Sequence, residues 1–447
     1  MVGGGVKVTR DNRQGKQMSE LGGTARLPEI QVPAKLTFAS LVAGAVLGLA
    51  VRGQPFASEF AALAAPLGRL WLRALQMTIV PLVASLLFQG ILRCVAAAAA
   101  GAMARRTLIA FAAILLAGSV MAALSTPALL DLSPVPAAAS AALTAAQSPT
   151  PGQLPGFAEF LAQLIPTNAI DAAARDATLP LVVFVSLFAL GASRLEPHTR
   201  EPLERLAEAV AGAMLVVIGW VLKLAPLGVL ALAMSLAIGS GAAIVGTLLH
   251  YIAIVSAIGL VVLLGAWLVA GLGARLGPLA FAKALLPAQA VALSTQSSLA
   301  SLPAMIAVSR RLGLRESSTE FVLPLAVALF RATSPAMNLA VAIYVANLAG
   351  APPSPQLIAA GVAVAMVTSL GAPALPGTIS FIANVGPVAL AMGAPLGPLA
   401  LLVAVEMLPD LMRTVGNVTM DLAVTALVDR RRDGDENQFS SSESSPP

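Results

Sequence analysis

Six polar residues near the end of an apolar run have the types and the spacing to hold a charged solute. They are Glu406, Asp410, Arg413, Thr414, Asn417 and Asp421, within the stretch E-M-L-P-D-L-M-R-T-V-G-N-V-T-M-D. At the ~100° per residue of an α-helix they fall within an arc of about 100° on one face. Carboxylates can take ammonium groups or cations, a guanidinium can grip a carboxylate through two parallel hydrogen bonds, and Thr and Asn add neutral donors and acceptors. The segment around them, about 398–428, is otherwise built for hydrocarbon. There each ionisable group costs at least ~2.5–3.5 kcal/mol on insertion scales, so such groups face a bundle interior or a watery cavity. Mutually satisfied ion pairs between helices are the plainer explanation. Four acid or base groups on one stripe exceed what packing requires. The stripe reads as a solute site.

The elements that must position it follow from composition. The chain has 447 residues, 57% of them hydrophobic and 11% charged. A water-soluble domain cannot hide that much apolar surface, so the chain is an all-α polytopic membrane protein. Its net charge of +5 does not indicate nucleic acid: most basic residues sit at the ends of apolar runs, as cytoplasmic loops require. Cys94 is the single cysteine, which excludes an internal disulfide, and His198 and His250 lack metal-ligand spacing. No cofactor is expected.

Residues 1–35 are Gly-rich, basic and aperiodic and read as a disordered cytoplasmic arm. Apolar segments follow at about 34–51, 65–92, 107–129, 178–193, 207–238 and 243–273, with a weakly apolar, Pro- and Ser-rich loop at 130–156. Three later stretches are harder to count: 279–309 is broken by Ser294–Ser298 and Pro303, 320–348 is long and contains Arg331, and 356–394 is broken by Gly371–Gly377. Broken segments are tolerated at membrane depth only where protein or water satisfies the backbone. If 279–309 crossed the membrane, Arg275 and Lys283 would face the opposite side from Arg310, Arg311 and Arg315. If it dips in and returns, all are cytoplasmic. The consistent count is eight transmembrane helices and two re-entrant hairpins, with both termini in the cytoplasm. The two hairpins precede the spans 320–348 and 398–428 in matching positions, the pattern of an inverted repeat with a binding site at the bilayer midplane. Residues 429–447 read as a disordered cytoplasmic tail.

From about Leu36 to Val428 the chain resembles the dicarboxylate/amino acid:cation symporters, which include glutamate and aspartate transporters. The residues that carry the resemblance are Met77–Pro81, Ile165-Pro166-Thr167-Asn168 with Leu179-Pro180, Ala225-Pro226-Leu227-Gly228, Ser297-Ser298 with Leu302-Pro303, and Leu375-Pro376-Gly377. The most specific is Asp410-x-x-Arg413-Thr414-x-x-Asn417-x-x-x-Asp421. The resemblance implies a glutamate-transporter fold, a homotrimer in the cell inner (plasma) membrane, and elevator-type movement. A transport unit of about 107–129 and 243–428 would move against a scaffold of about 36–92 and 157–238. It further implies that Arg413 pairs with a substrate carboxylate, that Asp410 and Thr414 take the ammonium group, and that Asn417 and the hairpin tips (Ser297, Ser298, Pro376, Gly377) hold the main-chain carboxylate. Glu406 falls at a supporting acid, while Asp421 and Asn417 fall at sodium ligands.

One region departs from the family. Where it has N-M-D-G-T, this chain reads Phe330-Arg331-Ala332-Thr333-Ser334, without the acid and the asparagine. Sodium-site hydroxyls are replaced around Phe111, Ile114 and Leu115 and at Ala372. Hard cations need several oxygen ligands, and a fixed guanidinium repels a cation further. Arg331 is therefore expected to stand in for at least one sodium ion, balancing Asp421 or Glu406, or else to bridge helices. With Glu406 as the nearest proton carrier, the expected function is transport of acidic amino acids or dicarboxylates with reduced or absent sodium coupling and a proton as the alternative ion. A C4-dicarboxylate or organic-anion exchanger, and a non-transporting sensor or anion channel, remain as alternatives. An enzyme is not expected, since neither histidine lies in a segment beside Ser297 or Ser298 to act as base.

Overall fold

Proline and strained backbone decide where the apolar runs stop being helix. A computed structural model describes residues 34–99, 101–136, 165–175, 177–241, 243–371 and 377–443. The expected arm before residue 34, most of the 130–156 loop, Ala372 and Pro376 fall outside these. In chain order the helices are α1 (Ala34–Val51), α2 (Ala57–Gln76), α3 (Ile79–Ala99), α4 (Ala102–Leu132), α5 (Ala169–Ala174), α6 (Thr178–Ala192), α7 (Pro197–Lys223), α8 (Ala225–Ser240), α9 (Ala243–Leu268, ending in a π turn Val269–Gly273), α10 (Pro278–Thr295), α11 (Ser298–Arg311), α12 (Glu316–Leu329), α13 (Ser334–Leu348), α14 (Pro355–Gly371), α15 (Gly377–Ala391), α16 (Gly397–Leu402) and α17 (Met407–Glu443). Among the described residues there is no strand.

Two segments that read as continuous are each a pair of helices. The run 207–238 divides at Leu224, because Pro226 has no N–H to give to an upstream turn and fits only in the first turn of α8. The run 65–92 divides at Met77–Thr78, with Pro81 in the first turn of α3. At the other end, α17 continues through 429–443, where a disordered tail is expected. That stretch holds Gly434 but no proline, so nothing in it stops a helix already nucleated upstream.

Six of these helices, alone or as consecutive pairs, are long and apolar enough to cross a membrane: Ala57–Ala99, Ala102–Leu132, Pro197–Lys223, Ala243–Gly273, Glu316–Leu348 and Met407–Arg430. Shorter apolar helices lie at Leu36–Val51, Thr178–Ala192, Ala225–Gly239 and Pro355–Leu370.

Packing separates an outer group from an inner one. In the outer group α8 lies on α1 and α2, and α3 on α6 and α7. Small residues allow this: a Cβ at Gly44 would meet the Leu230 carbonyl oxygen at 2.5 Å, and one at Gly48 the Met234 carbonyl oxygen at 2.6 Å. Such close backbone approach is how helices associate in lipid, where burying apolar side chains gains little. Trp71 sits against Gly228 and donates its Nε1–H to the Val221 carbonyl at 2.9 Å, satisfying the one polar atom of a buried ring. In the inner group α12, α13 and α17 are nearly enclosed. Around them pack α4 and α9, the hairpin α10–α11, and the hairpin α14–α15. The polar stripe lies at this centre.

Candidate functional site

The stripe is built at the start of α17. Glu406 ends a non-helical turn after α16, and its carbonyl accepts the Asp410 N–H at 2.9 Å, so the helical register already runs through it. Glu406, Asp410, Arg413, Thr414, Asn417 and Asp421 are all buried, each 5% exposed or less. That burial obliges each charge to find partners.

Arg413 finds several. Its terminal nitrogens donate to Glu406 Oε1 at 2.8 Å and to Asn338 Oδ1 at 2.8 Å, and its Nε lies 3.4 Å from Asp410 Oδ1. The other oxygen of Glu406 accepts the Tyr251 hydroxyl at 2.6 Å. The guanidinium is thus clamped among α9, α13 and its own helix. Thr414 donates its hydroxyl to the Asp410 carbonyl at 3.0 Å.

Beside the stripe the 320–348 segment loses its helix between α12 and α13. Arg331 stands in this break with φ +25°, a left-handed backbone that a side chain tolerates only under constraint, at a cost of order 1–3 kcal/mol. The constraint comes from both flanks. Phe330 stacks on Phe111 of α4, ring centroids 4.2 Å apart and planes 12° from parallel, with both rings fully buried. On the other side Thr333 donates its N–H to Asn417 Oδ1 at 2.9 Å and its hydroxyl to the same oxygen at 2.8 Å. A backbone N–H only donates, so the atom facing it is the amide oxygen, and the one hydroxyl proton of Thr333 is shared between that oxygen and the Arg413 carbonyl at 3.1 Å. The amide NH2 is the remaining polar group of Asn417. Thr333 therefore engages the side-chain oxygen of Asn417, and the Phe111–Phe330 stack flanks the break on its other side.

The stripe, the break and the tip of the first hairpin border a cavity of about 70 Å³. Arg331, Asp410, Thr414, Asn417 and Asp421 form one side, and Thr295, Gln296, Ser297 and Ser298 the other. The tip turns at Gln296, φ +51°, and Ser297 caps α11 by accepting the Ala300 N–H at 3.2 Å. Within the cavity wall Arg331 is repelled by the Arg413 guanidinium and attracted by the Asp410 and Asp421 carboxylates. Asp421 Oδ1 is buried and, among the described residues, makes no hydrogen bond.

Most of the residues singled out in the sequence meet here. Arg413 belongs to the buried clamp and is absent from the cavity lining. Gly377 opens α15, and Pro376 lies outside the described residues. Sequence reasoning did not single out Tyr251, Asn338, Thr333 or Gln296. The first two had a signal, as polar groups inside long apolar helices. His250 stays a packing residue, its ring nitrogens 3.2 Å from the Tyr344 hydroxyl and 3.1 Å from the Ser133 hydroxyl.

A buried acid–base stripe, a polar cavity closed by a helical hairpin, and an all-helical apolar body are the parts of a membrane transporter. Similarity to known proteins agrees. The chain is 29% identical over 364 residues to the proton/glutamate-aspartate symporter of Escherichia coli, covering 80% of this chain and 82% of the relative. It is 27% identical over 406 residues to the proton/sodium-glutamate symport protein of Bacillus subtilis, covering 89% and 92%. It is 29% identical over 458 residues to the neutral amino acid transporter B(0) of Oryctolagus cuniculus, covering 91% and 82%. These are transporters, not enzymes. Residues 34–431 match the sodium:dicarboxylate symporter family, and the chain belongs to that family.

Proposed function

We propose that this protein is a secondary active transporter of acidic amino acids or related dicarboxylates across the cell inner (plasma) membrane, with sodium coupling reduced or absent. The observation that carries the reading is the cavity, which brings a guanidinium, two carboxylates, an amide and the hairpin-tip hydroxyls to one buried place. Asp410 would take the solute's ammonium group. Asn417 and the tip at Ser297–Ser298 would take a carboxylate, since helix N-termini and N–H donors favour anions. Two of the relatives named above are glutamate symporters, which fits an acidic solute.

The weakened sodium coupling rests on the break. Asn417 Oδ1 is engaged by Thr333, Phe111 and Phe330 stack against each other, and Arg331 brings a fixed positive charge beside Asp421. A fixed charge supplies between those carboxylates what a bound cation would otherwise supply. Glu406 is the carboxylate best placed to carry a proton instead.

In the bilayer the reading takes α10–α11 and α14–α15 as re-entrant hairpins among eight spans. The termini are cytoplasmic and the assembly is a homotrimer. The inner helices travel, elevator-like, against the outer ones. The test is uptake of radiolabelled L-aspartate into proteoliposomes under a sodium gradient, a proton gradient, or neither. Uptake that persists with choline in place of sodium is expected. A strict sodium requirement overturns the coupling, and the absence of uptake under every gradient overturns the solute class.

A further inference from the structure

We propose that a second cavity, between the last turns of α3 and the first turns of α7, binds the head group of a membrane phospholipid that carries a primary ammonium beside its phosphate. The site lies in the outer group of helices, away from the stripe, and does not depend on which solute is carried.

The space comes from the sequence of α3. Its last turns read C-V-A-A-A-A, and Ala96 and Ala99 line the gap toward α7 with side chains too short to fill it. What remains is a cavity of about 500 Å³, against about 70 Å³ at the stripe. That lies within the ~300–1,000 Å³ of small-molecule sites and far above the ~10–15 Å³ that admit one water.

Its polar groups are divided between two walls. On α3, Gln89 and Arg93 stand one turn apart. A guanidinium only donates, so the Arg93–Gln89 contact at 3.2 Å uses the amide oxygen. The Gln89 Nε2 is then left over: it is buried and, among the described residues, makes no hydrogen bond. A buried donor without an acceptor is unfavourable. On α7, Arg200, Glu204 and Glu208 follow one another at intervals of four on one face. Arg200 pairs with Glu204 at 2.8 Å. Glu208, half-buried one turn further on, has no guanidinium partner among the described residues. Free donors therefore stand on the α3 wall and a free carboxylate on the α7 wall.

That division favours a zwitterion. Arg93 and Arg200 balance Glu204 and Glu208, so a ligand with net negative charge would meet Glu208 uncompensated. A phosphate on the α3 side meets the Arg93 guanidinium, whose planar fork suits it, and the Gln89 amide. An ammonium on the α7 side meets Glu208; a trimethylated one has no N–H to give. Depth points to a lipid. This end of α3, α6 and α7 carries Arg93, Arg105, Arg106, Arg194, Arg200 and Arg205, the excess that marks the cytoplasmic face. Leu92 and Val95 extend the α3 wall with apolar surface for the start of an acyl chain.

The test uses purified, delipidated full-length protein in detergent and native mass spectrometry. The probes are phosphatidylethanolamine, phosphatidylcholine and phosphatidylglycerol of identical acyl chains, and free phosphoethanolamine, which has the head group alone. Phosphatidylethanolamine should bind roughly tenfold more tightly than either other lipid, the effect of one charge-assisted hydrogen bond, and more tightly than free phosphoethanolamine. Glu208→Gln should bring it down to the level of phosphatidylcholine. Arg93→Ala should weaken all three lipids, and Arg93→Lys should restore part of the loss. Equal binding of the three lipids by wild type, a preference for phosphatidylglycerol, or a preference for phosphatidylethanolamine that survives Glu208→Gln overturns the site. Free phosphoethanolamine bound as tightly as the lipid overturns the lipid as occupant in favour of a soluble phosphate ester. The order of the probes on wild type decides the matter even where a variant fails to fold.

Discussion

The stripe of α17 and the break between α12 and α13 border one cavity, yet they hold their arginines in opposite ways. Arg413 sits on a regular helix and is consumed by the protein, bound to Glu406 and Asn338 at 2.8 Å each. Arg331 sits where the helix is interrupted and faces the space a solute would enter. A charge on a continuous helix can be surrounded by neighbours a turn away. A charge at a break is carried by backbone that has left the helix, and it meets whatever is opposite.

The largest effect should come from treating the two arginines alike. Arg413→Leu strands Glu406 in a dry interior and should cost about 3–5 kcal/mol, read as a large fall in the thermal unfolding temperature in detergent. Arg331→Leu should cost clearly less, because its surroundings open on the cavity. Adding Glu406→Gln to Arg413→Leu should recover a substantial part of the loss, because the stranded charge is then gone. If both single variants unfold alike, the distinction between clamp and cavity is broken.

A smaller effect should appear where the two regions touch. A Cβ at Gly416 would come within 2.5 Å of the Thr333 methyl. Gly416→Ala should therefore push Thr333 off Asn417, at about 1–3 kcal/mol of overpacking, read as a lower thermal unfolding temperature and slower L-aspartate uptake into proteoliposomes. Smaller again, Phe330→Leu keeps an apolar side chain but loses the stack on Phe111, worth about 0.5–1.5 kcal/mol beyond area. Thermal unfolding should show a modest drop without a new sodium dependence of binding. The smallest effect sets the scale: Arg310, exposed and paired with Glu316 at 3.0 Å, should cost no more than about 1 kcal/mol when changed to Ala. A loss there as large as at Arg413 would show that burial is not what separates these charges.

The amino-acid sequence by itself determined the membrane class, the polar stripe and the interruption around Ser297. Each of these is local. Apolar length marks the helices, a period of 3.6 residues places side chains around one axis, and proline or a run of small polar residues marks where a helix ends. The divisions at Leu224 and Met77–Thr78 were signalled by Pro226 and Pro81, and apolar length outweighed them in the reading.

Only the tertiary structure decided which arginine is enclosed and which faces the cavity. Spacing along α17 places Arg413 on the stripe, but Asn338 and Tyr251 arrive from helices 75 and about 160 residues away, in a register that no local pattern encodes. Phe111 and Phe330 likewise became a stacked pair only when α4 packed beside α13. The order of residues along one helix sets the direction in which each points. What each then meets is set by the tilt and register of another helix, and these follow from the packing of the whole bundle.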